Sequence, residues 1–468
     1  MTESEIHPGN HHRFHNCRPR LSARLALAVS ILIAAAFALT ARVTGQDKSA
    51  TRDAAVIALG SRLFRDQRFS SPDGDLANSC AGCHLQDQDP QGHRAFTDFF
   101  NRSWVPWRRE DPRREENRNT PTIFDSDAMP RLHFDGEFPS LEELVKGTLA
   151  GRPMGWLPSE TIRSLTYVYD VVLKDRGEST DHRGPAYRDQ FKQAFGADVE
   201  QVGRDQTIDL TARAISAYIR TLRSARRTSY DQFVRSNGLD PSPTAGEDAR
   251  AFARRTLESI SSLEARRALK LGGAFDAQAL NGFKIFLTTA GESSTGNCVV
   301  CHSPPAFTDN AFHNMGVSQS DYEAIHGAGS FWSLSVPGVM SKRPVAELRE
   351  MPSKRDAALV DLGYWNFVDL KSSPQRRPGE SDEAFLRRMI ATFKTPTLRN
   401  LAYSQPYLHN GAFNTIEDTL GELMRLSSVA REGSVREADE DLLRIKITRE
   451  DIAPLAAFLR SLSDPVKK

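Results

Sequence analysis

One five-residue pattern occurs twice in the chain, as Cys80-Ala81-Gly82-Cys83-His84 and Cys298-Val299-Val300-Cys301-His302, and Cys17 is the only cysteine outside it. C-x-x-C-H is the spacing of c-type haem attachment. Two thiols three positions apart can add to the two vinyl groups of one haem, and the adjoining imidazole then falls under the iron as proximal ligand. Two disulfides, a four-cysteine zinc site or a thioredoxin-like redox pair would use the same C-x-x-C spacing. None of these explains a histidine directly after both pairs. The expectation is two covalent haems, one on Cys80, Cys83 and His84 and one on Cys298, Cys301 and His302.

The N-terminus points to export. Residues 25–41 carry no charge, follow Arg13, Arg18, Arg20 and Arg24, and run into small residues around Val43 and Gly45. That is the layout of a signal segment, with an apolar length between a signal core and a spanning helix of about 20 residues. Residues 1–45 are therefore read as a cleaved signal or an inner-membrane anchor, and the rest as periplasmic. Over the whole chain of 468 residues, 61 Lys+Arg stand against 60 Asp+Glu. A formal charge of +1 gives no electrostatic case for a nucleic-acid partner.

Blocks around the two motifs match in a fixed order, the mark of internal duplication. Gly60-Ser61-Arg62-Leu63-Phe64 answers to Gly282-Phe283-Lys284-Ile285-Phe286, and Ala95-Phe96-Thr97-Asp98 to Ala306-Phe307-Thr308-Asp309. Thr120-Pro121-Thr122 pairs with Thr395-Pro396-Thr397, and the run from His133 to Glu143 pairs without a gap with that from Leu408 to Asp418. Ser140 with Glu143, and Thr415 with Asp418, have capping-box spacing, which starts a helix at the same place in each copy. The expected fold is mainly α, two duplicated cytochrome c-like domains each around one covalent haem, at residues 50–230 and 271–468. Residues 231–270 read as a linker, on the aperiodic Gly/Pro stretch from Ser236 to Ala249. His302 and Pro396 are 94 residues apart against 37 for His84 and Pro121, which places an insertion of about 57 residues within 316–392. It is either a surface excursion or a lid or docking surface.

Taken together, both C-x-x-C-H motifs, Arg118-Asn119-Thr120-Pro121-Thr122, Phe307-Thr308-Asp309 with Phe312-His313-Asn314, and Pro396-Thr397-Leu398-Arg399-Asn400 leading to Pro406-Tyr407-Leu408-His409-Asn410-Gly411 resemble the di-haem cytochrome c peroxidase / MauG family. The resemblance implies that His84 is the proximal ligand of an N-terminal peroxidatic haem and His302 that of a C-terminal electron-transfer haem. It implies that His409 lies beside the latter and touches a propionate. It also implies a calcium ion held by the Asn119 side chain and the Ser404 and Pro406 carbonyls, an oxygen-only set that suits the ion.

The chain departs from the family pattern at several positions. Phe134 stands where members carry a tryptophan between the haems, and Leu144 and Pro153 replace a distal Gln and Glu. Peroxide cleavage benefits from a group that moves a proton between the two oxygens. Glu143, His93, His133, Arg152 and His313 are the substitutes on paper, with His313 and Glu143 taken as the catalytic pair. The sixth ligand of the C-terminal haem, counted eight residues from Thr415, falls on Leu423, so its neighbour Met424 is the expected ligand. The implied function is peroxide reduction with electrons from a small cytochrome c or cupredoxin, a homodimer being compatible with the family. The alternatives are a MauG-like oxidase acting on a protein side chain and a pure electron-transfer cytochrome.

Overall fold

The computed structural model describes residues 51–84, 105–111, 116–177 and 184–465. The export segment, His93 and the block Ala95-Phe96-Thr97-Asp98 lie outside the described residues. The described chain is mainly helical, and among its residues no helix is long and apolar enough to cross a membrane.

The first of three apolar cores takes Leu59, Leu63 and Phe64 from α1 (residues 55–64) and Leu141, Val145 and Leu149 from α3 (Leu141–Leu149). It is completed by α4 (Thr161–Lys174), α5 (Tyr187–Phe195) and α6 (Val199–Ile219), and the short helix α2 (Cys80–Cys83) lies against it. A second core joins α7 (Ser229–Ser236), α8 (Ala249–Ala265), α9 (Ala277–Leu287), α12 (Ile416–Arg431) and α13 (Arg449–Arg460).

Blocks that match in sequence take matching local geometry. α1 meets α6 so closely at Gly60 that an added Cβ would overlap the Ala214 carbonyl, and α9 meets α13 in the same way at Gly282 over the Pro454 carbonyl. Only glycine allows that approach of two backbones. Isolated bridges Leu132↔Phe138 and Tyr407↔Phe413 close equivalent turns, with His133 (φ 63°) and Leu408 (φ 67°) in the left-handed region and Gly136 and Gly411 likewise. Ser140 and Thr415 then cap α3 and α12 by accepting from Glu143 N and Asp418 N, at 3.2 and 3.0 Å.

Two segments differ from the expectation. The stretch read as a linker holds α7 and α8, whose Tyr230, Phe233, Phe252 and Ile260 are buried in the second core, and only the loop between them has linker composition. The insertion, from α10 (Val317–His326) through α11 (Asp382–Arg388), folds around a third core of Phe312, Phe331, Leu348, Trp365 and Phe385 among others.

That third core grips the turn Phe134-Asp135-Gly136. Strands β1 (Phe312–His313) and β2 (Phe393–Lys394) pair antiparallel, and Lys394 N donates to Phe134 O at 2.7 Å. Phe312 stacks on Tyr364 with ring centroids 3.8 Å apart, and both rings lie against Gly136. Asp135 is fully buried and pairs with Arg118 at 2.5 Å and Arg349 at 3.3 Å, while Arg118 also holds Asp361 at 2.6 Å. Burial alone would push the Asp135 carboxyl up, but Arg118, His133 and Arg349 outweigh it and hold it below the ordinary carboxylate range.

Two outcomes follow for unfolding by denaturant. Gly282→Ala should destabilise by about 1–3 kcal/mol through overpacking, whereas Gly421→Ala, in α12 with open space at its Cβ, should stabilise by about 0.5–1 kcal/mol. Arg118→Met should cost about 3–5 kcal/mol by leaving Asp135 uncompensated. A depressed carboxyl contributes stability above its ordinary range, lost as the pH falls. In the variant burial dominates and the carboxyl is raised, so the deficit at about pH 7 should shrink towards about pH 5. A pH-independent deficit would show that the Asp135 charge is not its cause.

Candidate haem centres

Both motif histidines are half-buried, and their surroundings favour the neutral imidazole, the form that binds iron. Burial pushes His84 down to about 4, with the charge of nearby His133 adding to the effect, and His302 is lowered mainly by burial. His302 Nδ1 donates to the Phe307 carbonyl at 3.0 Å, which leaves Nε2 as the free donor atom, the orienting bond usual behind a metal-bound imidazole. His84 Nδ1 is buried without a hydrogen-bond partner among the described residues. Cys80 packs on the first core and Cys298 on the second, so the two pairs lie on different cores and do not assemble into one four-cysteine metal site.

A cavity of about 260 Å³ opens beside the second motif. Cys298, Cys301 and His302 form one side, and Leu420, Leu423 and Leu426 of α12 line it as well. An apolar slot beside two thiols and a neutral imidazole suits a covalent haem, whose macrocycle needs apolar walls and whose iron needs one imidazole. Phe134, Phe393, Lys394 and His409 also line it. His409 is buried and lies flat on Phe393, with centroids 3.5 Å apart. Lys394 had not been singled out in the sequence. Its ammonium is buried, donating to Arg131 O at 2.8 Å and to Met129 Sδ at 3.3 Å, and burial pushes it down to about 8.

Met424 packs against the second core, and Leu423, not Met424, lines the cavity. The helix is not rotated to present the thioether. His313 is also placed differently from the expectation. Its Nδ1 donates to Asp439 at 2.7 Å and its Nε2 to Asp309 at 2.9 Å, and it lies against Cys301 of the second motif. The two carboxylates overcome its burial and hold it protonated, so it has no lone pair with which to accept a proton from peroxide. Glu143 is exposed on the first turn of α3, engaged through its backbone in the Ser140 cap, and so faces water rather than the motif. The pair expected to act as catalytic acid and base is therefore not assembled.

Around the first motif, Asn78 Nδ2 donates to Pro153 O at 2.9 Å and lies 3.7 Å from Cys83 Sγ, so Asn78 links the Pro153 backbone to the motif. Arg152 is committed to Asp111 and Glu116, at 2.6 and 3.1 Å. His133, by contrast, is close enough for its charge to be felt at His84; its ring is edge-on to Phe138 and its Nδ1 is 3.4 Å from Glu137.

Asn119 and Pro406 are brought together: Asn119 Nδ2 donates to Pro406 O at 2.6 Å, and Asn119 N to His409 O at 2.7 Å. Asn119 Oδ1 is buried with no hydrogen-bond partner. Ser404 is half-buried in the same segment as Pro406.

Residues 54–238 match the family described as di-haem cytochrome c peroxidase. The chain is 24% identical over 467 residues to the cytochrome-c peroxidase IdrP1 of Pseudomonas sp. (strain SCT), covering 95% of this chain and 94% of the relative. It is 24% identical over 404 residues to the methylamine utilization protein MauG of Methylophilus methylotrophus, covering 86% and 81%. The solved structure of the diheme peroxidase BthA from Burkholderia thailandensis E264 shares the fold, with a TM-score of 0.51 at 19% identity over 87% of this chain and 86% of that one. The family match takes in the first motif, and the relatives align along most of the chain, second motif included. On these grounds the chain is similar, over most of its length, to the di-haem cytochrome c peroxidase and MauG proteins, and it is an oxidoreductase with two covalently bound c-type haems.

Proposed function

We propose that the protein is a periplasmic peroxidase. It reduces hydrogen peroxide at the haem on Cys80, Cys83 and His84, with electrons that a small cytochrome c or cupredoxin delivers to the haem on Cys298, Cys301 and His302. One peroxide, two electrons and two protons give two waters, so the chain must serve both electron and proton delivery. The bound haems supply the redox-active iron. The remaining tasks fall to side chains.

The observation that carries this reading is that consecutive residues of one clamped turn serve the two motifs. His133 sits beside His84, and Phe134 lines the cavity beside His302. Leu144 and Pro153 offer no proton acceptor, and His133, which stands with Asp135 and Glu137, is the histidine whose charge is felt at His84. We assign it the proton transfer that the family's missing Gln and Glu would have assisted. Phe134 offers no indole for a radical relay, which favours peroxide as substrate over a protein side chain. The C-x-x-C-H domains are assigned to residues 50–228 and 229–468, with α7 and α8 belonging to the second. A calcium ion is assigned to Asn119 Oδ1 with the Ser404 and Pro406 carbonyls, since a buried unpartnered oxygen beside a carbonyl is a ready start for an oxygen-ligated site.

Steady-state peroxide reduction by the haem-loaded protein tests this. His84→Ala should abolish turnover and leave the C-terminal haem spectrum intact; loss of the peroxide-reactive signal in His302→Ala alone would reverse the two roles. His133→Ala should lower turnover by about 10²–10⁴-fold, the usual worth of general acid–base help. Glu143→Ala should leave it unchanged. A harmless His133→Ala would remove the proton role assigned here.

A further inference from the structure

The cavity beside His302 contains the donor atoms available to the second haem iron, and most are committed elsewhere. α12 presents Leu420, Leu423 and Leu426, none of which can bind a metal. His313 is held at both nitrogens by Asp309 and Asp439. The Lys394 ammonium is spent on Arg131 O and Met129 Sδ, the Tyr407 hydroxyl donates to Leu401 O at 2.7 Å, and Glu422 pairs with Arg425 at 2.6 Å. His409 lies flat on Phe393.

Met315 is the thioether among the described residues that line this cavity, and it is half-buried there. Its backbone is fixed on both sides. Asn314 Nδ2 donates to Ile390 O at 3.1 Å and Arg436 O at 2.9 Å, and Asn314 Oδ1 accepts from Gly316 N at 2.9 Å. Gly316 abuts Leu426 and Val435, so the turn lies against the same α12 face that lines the cavity, and His313 pins its other end beside Cys301. A long, flexible thioether delivered by a rigid turn is the side chain best able to reach an iron in this space.

We infer that Met315 Sδ is the sixth ligand of the C-terminal haem iron, opposite His302, in the role that counting along α12 assigns to Leu423 or Met424. The inference rests on the di-haem reading above. Ligation is the donation of a sulfur lone pair to iron and moves no electron or proton. A Met/His pair raises the reduction potential of a c-type haem, which suits a haem that receives electrons from a donor protein.

The test is optical and paramagnetic-resonance spectroscopy with potentiometric titration of the haem-loaded full-length protein and of Met315→Ala, Met315→His and Met424→Ala. The unsubstituted protein and Met424→Ala should each show one low-spin haem with the weak red charge-transfer band of thioether-bound ferric iron. Met315→Ala should lose the band and gain a high-spin haem. Met315→His should keep a low-spin haem with a lowered potential, which supplies the reading if the alanine variant does not fold. The band surviving in Met315→Ala or Met315→His, vanishing in Met424→Ala, or missing from the unsubstituted protein with two haems bound would overturn the assignment alone. A chain with no covalent haem by intact mass would overturn the di-haem reading and the ligand with it.

Discussion

The guanidinium of Arg118, held between the buried carboxylate of Asp135 and that of Asp361, fixes the turn that carries His133 and Phe134. Asp135 belongs to the first half of the chain and Asp361 to the insertion, so one cation ties the two together. A buried pair of this kind adds little net stability over an apolar packing, but breaking it is costly, which favours one arrangement over its alternatives. The stacked Phe312 and Tyr364 and the Lys394 N–H to Phe134 O bond finish the clamp. Phe134 is thereby placed at the wall of the second cavity and His133 beside the first motif.

The remaining chemistry can be read as a division of labour set by burial. Desolvation favours the neutral form of both motif imidazoles, and the Phe307 carbonyl orients His302 by accepting from its Nδ1–H. The second cavity is walled largely by leucines and aromatics, a setting that suits the macrocycle of a covalent haem. Charge is kept at its rim in compensated form, as in the Asp309–His313–Asp439 group beside Cys301.

Much of this was legible in the sequence where a motif carries its own geometry. C-x-x-C-H pointed to two covalent haems, capping-box spacing placed the starts of α3 and α12, and the matched Gly60 and Gly282 both turned out to be helix-crossing points. The insertion was opaque for a physical reason. Its core gathers Phe331, Leu348, Trp365 and Phe385 from turn-rich segments whose apolar residues follow neither a helical nor a strand period. α7 and α8 were masked by the Gly/Pro loop between them, though their own apolar spacing is helical. His313 and Glu143 show the limit of transferring a role by motif: the residue types suit proton transfer, but the partners that lock His313 lie at Asp309 and Asp439, and Asp439 is far along the chain. Lys394 gave no local signal, since what makes it notable is burial.

The most direct measurement is a rapid-mixing titration of the fully reduced, haem-loaded protein with hydrogen peroxide, following both haem spectra. A single peroxide takes two electrons, and two reduced haems hold one each. The expected result is that one equivalent of peroxide oxidises both haems together. Oxidation of only one haem per chain, or no reaction at either, would contradict a peroxidase built from two cooperating centres.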